Sequence, residues 1–390
     1  MLYLESLKGG VVLGRYLDAA RMIGDWFIAN QVHPVNRDSA DVGRYPFQVD
    51  SWNNATDLAS SWNMGTIILS MLALWRATKD KRYLNSALLA GGYLKTLSIL
   101  DPRDKKIFGA IRERSAQTDW LFPRDGASGA WGDLALFDET GDAEYLYRSE
   151  LYARWQIKHG RDRAGWPYFT YYLDGRPPRK TRGGFQAGAG VYFYHLYRVT
   201  GKKLYLTRGL KPLADGFLRW FLAPDGSLRQ AYEPGKRAFV DAGYAFHNYN
   251  DDFSNLALLC AYDAFKDGRY LEGARRFANW MVSEQRKDGH FGEVPSASAT
   301  GIILFSALDR IRKEPKLMRA ARRAARWILS RQVTDTEDPK RKGGIRGQDM
   351  SGRILAARLG AYAISALLAL DDRRHKNYYS VRSRLRKKSR

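Results

Sequence analysis

The densest run of groups able to move protons or hydrogen-bond a substrate is Ala245-Phe-His247-Asn248-Tyr249-Asn250-Asp251-Asp252-Phe253, which leads straight into an apolar segment. A carboxylate at the mouth of a buried helix can accept backbone N–H bonds as an ordinary cap. Held rigidly in the same place, Asp252 can equally act as general acid or base, with His247 and Tyr249 as donors, acceptors or stacking partners and Asn250 as a polar contact. A second run, Asp119-Trp120-Leu-Phe-Pro-Arg124-Asp125-Gly-Ala-Ser128-Gly-Ala-Trp131-Gly-Asp133, sets Asp125 and Arg124 close to Trp131. That pairing could put a carboxylate beside an aromatic platform, although Asp125 before Gly126 also suits a plain turn. Trp52-Asn53-Asn54-Ala-Thr56-Asp57 repeats the theme, with Thr56 or Asp57 as a further possible cap. In Gly343-Gly-Ile-Arg346-Gly-Gln348-Asp349 the arginine is either a carboxylate clamp or a surface residue. Asp252 is therefore the leading catalytic carboxylate, with Asp125 opposite. Tyr249 and His247 support them, and Trp52, Asn53, Asp57, Arg124, Trp131, Asn250, Arg346 and Asp349 are expected to contact substrate.

These groups must be positioned by a repeated element. The phrases Gly14-Arg-Tyr16-Leu17, Lys81-Arg-Tyr83-Leu84, Ala143-Glu-Tyr145-Leu146, Lys203-Leu-Tyr205-Leu206 and Gly268-Arg-Tyr270-Leu271 recur with Tyr-to-Tyr intervals of 67, 62, 60 and 65 residues, and Lys316-Leu317 is a degraded sixth copy. Each interval has room for two helices and a long loop. Ten residues after four of these tyrosines stand Trp26, Tyr93, Trp155 and Trp280, close to three helical turns on. The segment after each phrase is amphipathic, whereas the segment before most copies is apolar all round, as in 64–74, 255–264 and 302–308. A helix without a polar face must be surrounded by protein. The pattern predicts outer helices over 12–30, 82–99, 142–157, 202–220, 269–286 and 315–331. Inner ones are expected over 56–78, 127–140, 185–199, 252–266, 297–312 and 353–371. The turns Thr140-Gly141-Asp142, Thr200-Gly201-Lys202 and Lys266-Asp267-Gly268 are short, with glycine expected to end each inner helix at positive φ. All the long, Trp-, Tyr-, Asp- and Arg-rich connections then fall at one end, around the N-termini of the inner helices, where partial positive charge favours anions. Strands are expected only as short loop hairpins.

The hairpin phrase and the loop placement, over roughly residues 12–371, resemble the six-hairpin glycosidase superfamily. Gln285-Arg-Lys-Asp288-Gly289-His290-Phe291-Gly292 is similar to a helix-end phrase of such toroids and of terpenoid cyclases. The resemblance implies an all-α (α/α)6 toroid and a carbohydrate-active enzyme. Hydrolysis would use two carboxyls across a sugar. Elimination or C5 epimerisation of a uronate would instead use a Tyr or His base with Asn and Arg neutralising the carboxylate, and a noncatalytic glycan-binding toroid is the remaining alternative.

Composition sets bounds on partners. The chain has 390 residues, 45% of them hydrophobic, and a net charge of +23; nine basic residues and no acid lie in 373–390, which leaves the body at +14. The division expected is a toroid over 1–372 and a basic tail over 373–390, either solubilising or docking. Such charge attracts polyanions in general and points here to an anionic oligo- or polysaccharide. Trp and Tyr residues at helical spacing read as core, not as a specific nucleic-acid surface. Met1–Lys8 lacks the apolar run of a signal peptide, and no segment reaches the roughly 20 apolar residues of a membrane span, so a cytoplasmic location is expected. Cys260, the single cysteine, reads as a small buried hydrophobe in a reducing compartment. The six histidines show no HExxH or comparable spacing, so no metal is expected, and neither a P-loop nor a dinucleotide fingerprint appears, so no cofactor is expected.

Overall fold

A computed structural model describes residues 14–34, 39–240, 253–292, 295–347, 352–371, 378–379 and 381. Six outer helices, α1 (Arg15–Asn30), α3 (Lys81–Leu97), α5 (Ala143–Lys158), α7 (Lys211–Gly216, extended on either side by π-helical turns Tyr205–Leu210 and Phe217–Phe221), α9 (Gly268–Ser283) and α11 (Pro315–Arg331), alternate with six inner ones. The inner helices are α2 (Ser61–Thr78), α4 (Pro123–Thr140), α6 (Ala189–Thr200), α8 (Ser254–Phe265), α10 (Pro295–Ile311) and α12 (Ala357–Asp371). Each inner helix packs on the next, and α12 returns to α2, so the ring closes as an (α/α)6 toroid. Gly14 N donates to Asp371 Oδ1 (3.3 Å), tying the last inner helix to the first outer one.

The repeated aromatics have a physical role. Tyr83, Tyr205 and Tyr270 donate to Asp25, Glu150 and Asp215 of the preceding outer helix at 3.1, 2.9 and 2.6 Å. Trp26, Tyr93 and Trp155 donate instead to the Lys340, Arg114 and Lys106 carbonyls of the long loops. Three of the tyrosines thus staple neighbouring hairpins, and three of the aromatics that stand ten residues on each pin a long loop. In the phrase around Gly289, φ is +105° and a Cβ would lie 2.5 Å from the Arg323 carbonyl oxygen of α11; Gly343 meets Met22 of α1 in the same way, with φ +86° and 2.0 Å.

Short inner-to-outer turns are built as expected at Gly141 and Gly201, whose φ values are 77° and 70°. At the α8–α9 turn the expectation fails: Lys266, not Gly268, takes the left-handed conformation, and Gly268 begins α9 after the Asp267 cap. The segment 56–60 is not helical either. Thr56–Leu58 forms β2, antiparallel to β1 (Pro46–Asp50), and β1 also pairs with β7 (Ile354–Ala356). This sheet sews the first long loop to the last one, a long-range closure with no local signal. Two small pairs of strands complete the loops: β3 (Trp120–Leu121) with β4 (Tyr171–Tyr172), and β5 (Ala231–Glu233) with β6 (Ala238–Val240), alongside isolated bridges.

The core runs through the ring and includes three residues of the basic C-terminal segment. Tyr378, Tyr379 and Val381 are buried in it. Tyr378 donates to Glu139 (2.9 Å) beneath the Arg76 guanidinium, Tyr379 stacks on Phe253 at 4.4 Å and meets Trp131 edge-on, and the Val381 carbonyl accepts from Tyr194. Among the described residues no helix is long and apolar enough to cross a membrane.

Candidate active site

At the loop end of the toroid a cleft of about 490 Å³ opens between the N-termini of α2, α4 and α12 and the β1–β2–β7 sheet. Its aromatic walls are Phe47, Trp62, Trp120 and Phe122. A volume of this order suits one or two sugar rings. Asp125 enters it from the first turn of α4, which starts at Pro123 with Phe122 as the cap residue. Asp125 is therefore neither the cap nor a loop turn. Its carboxylate accepts from Arg124 Nη1 at 2.9 Å.

The partner of Asp125 is a residue that sequence reasoning passed over, Glu113, which lies 3% exposed in the loop between α3 and α4. Backbone bonds Ser61 N to Glu113 O (2.8 Å) and Glu113 N to Trp120 O (3.3 Å) hold that loop between the first turns of α2 and α4. Glu113 Oε2 accepts from Phe122 N at 3.3 Å and from Ser61 Oγ at 3.4 Å, and its carboxyl is in hydrogen-bond contact with that of Asp125. Burial, and next the adjacent Asp125 charge, push the Glu113 carboxyl well above the usual carboxylate range. Two adjacent carboxyls favour retaining a proton between them, because ionising both would set like charges together. Nothing local marks Glu113: in Ile111-Arg-Glu113-Arg it looks like a surface acid between two arginines.

Trp62, from the first turn of α2, is a buried part of the cleft wall. The Arg124 guanidinium carbon lies 4.7 Å from its ring centre and that of Arg358, from the first turn of α12, lies 4.6 Å away. Arg124 also covers Phe185 at 5.0 Å. Behind Trp62 a small cavity of about 30 Å³ is bounded by Trp131, Tyr192 and Phe253.

The other expected residues fall in several places. Trp131 is buried one layer down, stacked on His195 at 5.4 Å, and so belongs to the core beneath the cleft. Trp52 is exposed at the β1–β2 turn under Arg353 (4.8 Å). Asn53 Oδ1 is taken by Ala55 N (2.9 Å) and Asp57 by Gln48 Nε2 (2.7 Å), both exposed. Asp57 is a strand residue and not a cap. Arg346 does not line the cleft; its guanidinium lies 3.8 Å from Asp335. His247, Tyr249, Asn250, Asp252 and Asp349 lie outside the described residues. The structure thus brings together Asp125 and Arg124 and adds Glu113, Trp62, Asn63 and Arg358.

No protein-family model and no curated protein sequence matches the chain. Solved structures do. A family GH76 α-mannanase of Bacteroides thetaiotaomicron is similar at 13% identity and a TM-score of 0.70, over 92% of this chain and 96% of that one. The unsaturated glucuronyl hydrolase of Bacillus sp. GL1 gives 15% and 0.70 over 95% and 100% of the two chains, and the cellobiose 2-epimerase of Spirochaeta thermophila 16% and 0.68 over 93% and 99%. The chain has the six-hairpin (α/α)6 toroid fold of these proteins.

Proposed function

We propose that the chain is a glycoside hydrolase acting on an anionic, uronate-containing oligo- or polysaccharide, with the Asp125–Glu113 pair as proton source and Asp252 as the second carboxylate. The observation that supports this reading is the pair of contacting carboxyls in an aromatic-walled cleft at the loop end of the toroid. Carboxyls in hydrogen-bond contact are closer than the ~5–9.5 Å between two acids that flank a sugar. Glu113 and Asp125 accordingly act as one unit, and the opposing group comes from another loop. Asp252 immediately precedes Phe253, which borders the cavity behind Trp62 and Arg124. Asp125 delivers the shared proton to the glycosidic oxygen as the bond from that oxygen to the anomeric carbon breaks. Water adds to that carbon while Asp252 takes the proton it loses, so the net change is addition of one water. The similarity to carbohydrate-processing enzymes of the same fold agrees with this class, and the excess positive charge agrees with an anionic substrate.

Asp125→Asn keeps shape and removes the titratable group. It is expected to lower turnover of uronate-containing oligosaccharides about 10²-fold or more with the melting temperature retained, and Asp252→Asn likewise. Normal turnover by Asp125→Asn would remove the assignment. Saturated reducing ends in the products support hydrolysis, whereas an unsaturated uronate chromophore would transfer the chain to elimination chemistry, and binding without turnover to the noncatalytic alternative.

A further inference from the structure

One wall of the cleft continues past its own lining into a hairpin tip that the acid pair does not use. Phe47 and Gln48 of β1 and Ile354 of β7 line the cleft. The residue next to Ile354, Arg353, lies over Trp52 at the β1–β2 turn, with its guanidinium carbon 4.8 Å from the ring centre. Four residues of extended chain span at most about 14 Å, so Trp52 stands just beyond the part of the wall that Gln48 forms.

The tip is held in one conformation. Asp50 Oδ1 accepts from Trp52 N at 3.0 Å, and Asp50 Oδ2 accepts from Arg353 Nε at 2.7 Å. Asn54 takes the left-handed conformation, with φ 57°, and its N–H donates to Asp50 O at 2.8 Å. Ala55 N donates to Asn53 Oδ1 at 2.9 Å, and Ser51 N donates to Arg353 O at 2.8 Å, which ties the turn to the last long loop. A turn ordered beforehand loses less entropy when a ligand arrives.

Trp52 is nonetheless 75% exposed. Arg353, engaged with Asp50, backs one face of the indole, and no other cation or aromatic ring among the described residues lies against it. Single exposed apolar side chains are ordinary on a protein surface. Here two of the five exposed large ones among the described residues, Phe47 and Trp52, stand on one hairpin, in continuation of the cleft's aromatic walls. Around the ring Asn53, Asn54, Thr56 and Asp57 are exposed and polar, so the indole is not the centre of an apolar patch that a protein partner would cover. The open face of an indole is apolar and electron-rich. It fits the C–H face of a pyranose ring while the sugar hydroxyls stay among polar groups and water.

We propose that Trp52 is a distal glycan subsite, on which a sugar further along the chain that occupies the cleft stacks, and that the substrate is therefore an oligo- or polysaccharide several sugars long. This deepens the reading of the cleft as a glycoside site and rests on it.

The test uses size-graded ladders, disaccharide to octasaccharide, of oligogalacturonates, hyaluronan fragments and alginate oligomers, with neutral cello- and manno-oligosaccharides alongside. Calorimetric Kd values and steady-state kcat and KM are measured for wild type, Trp52→Phe and Trp52→Ala, and thermal melts confirm that each is folded. Wild-type affinity for at least one ladder is expected to rise with length. In Trp52→Ala the octasaccharide loses about 10-fold or more in Kd and KM, the disaccharide far less, and kcat changes little, while Trp52→Phe keeps part of the gain. The subsite is overturned if no ladder binds up to about 10 mM, if affinity is independent of length, or if Trp52→Ala weakens short and long chains equally or not at all. Self-association that Trp52→Ala abolishes, with glycan binding untouched, would also overturn it and assign the hairpin to a second copy of the chain. The expected pattern on a neutral ladder alone would remove the anionic substrate class and leave the subsite standing. Length-dependent binding through Trp52 without turnover of any glycan would sink the hydrolase reading and likewise leave the subsite.

Discussion

At the scale of single residues, the environment of Glu113 makes a pH-dependent prediction. Its folded-state carboxyl holds its proton well above the ordinary value of 4.5, chiefly through burial and then through Asp125. A group whose folded pKa is raised stabilises the fold fully below its unfolded value and loses that contribution as pH rises through the folded one. Glu113→Gln keeps a neutral donor toward Asp125 and cannot ionise. The melting temperature of Glu113→Gln should therefore gain on wild type as pH is raised from about 5 to 9. If the pair is the proton source proposed above, the same ionisation should make wild-type turnover fall on the alkaline side, and Glu113→Gln should be slow across the whole range. A constant melting difference across the range would mean that Glu113 is not proton-loaded in the fold. Asp125 was visible in the sequence because it shares a short run with Arg124 and Trp131. Glu113 was not, since its significance lies in a contact across the chain and in burial, neither of which leaves a mark among its neighbours.

Elements are where the sequence spoke most clearly. In three copies the phrase tyrosine reaches a carboxylate on the outer helix before it, as Tyr270 reaches Asp215. The Asp288-Gly289-His290 phrase answers a packing demand: the loop presses backbone against backbone of α11. Gly289→Ala should destabilise the protein by about 2 kcal/mol or more, combining the ~1–2 kcal/mol of a left-handed non-glycine residue with displacement of the Arg323 carbonyl. His290→Ala, whose ring stacks on Trp327 at 5.2 Å but is not wedged against backbone, should cost less. Equal urea midpoints for the two variants would refute the close-approach account. The failures at this scale have reasons too. Lys266 takes a conformation that glycine would adopt more readily, and its Nζ is 3.1 Å from Asp263 Oδ1, an exposed pair of small value. Residues 56–58 join a strand because β1 offers an edge there, and edge pairing depends on a partner, not on the periodicity of the segment itself.

For the whole molecule, three residues near the C-terminus are part of the ring's interior. Tyr378, Tyr379 and Val381 are each at most 8% exposed and fill space between inner helices. At ~1.5–3 kcal/mol for each fully buried large side chain, ending the chain after Asn377 should lower stability by about 4.5–9 kcal/mol, and Tyr379→Ala alone by about 3–5 kcal/mol. Denaturant midpoints measure both; a truncated chain that unfolds with the full-length protein would show that the plug contributes nothing. The sequence assigned these residues to a basic tail because two tyrosines and a valine among nine cations show no helical or strand period. By itself the sequence determined the twelve alternating helices, which of them are inner and which outer, and the gathering of long loops at one end. Those features follow from apolar periodicity and short turns, which act within a few residues. Only the tertiary structure decided that Glu113 meets Asp125, that Arg358 lies over the same indole as Arg124, and that Tyr378, Tyr379 and Val381 enter the ring. Each of these depends on closure of the toroid, which brings the last hairpin against the first and creates neighbours that no local pattern encodes.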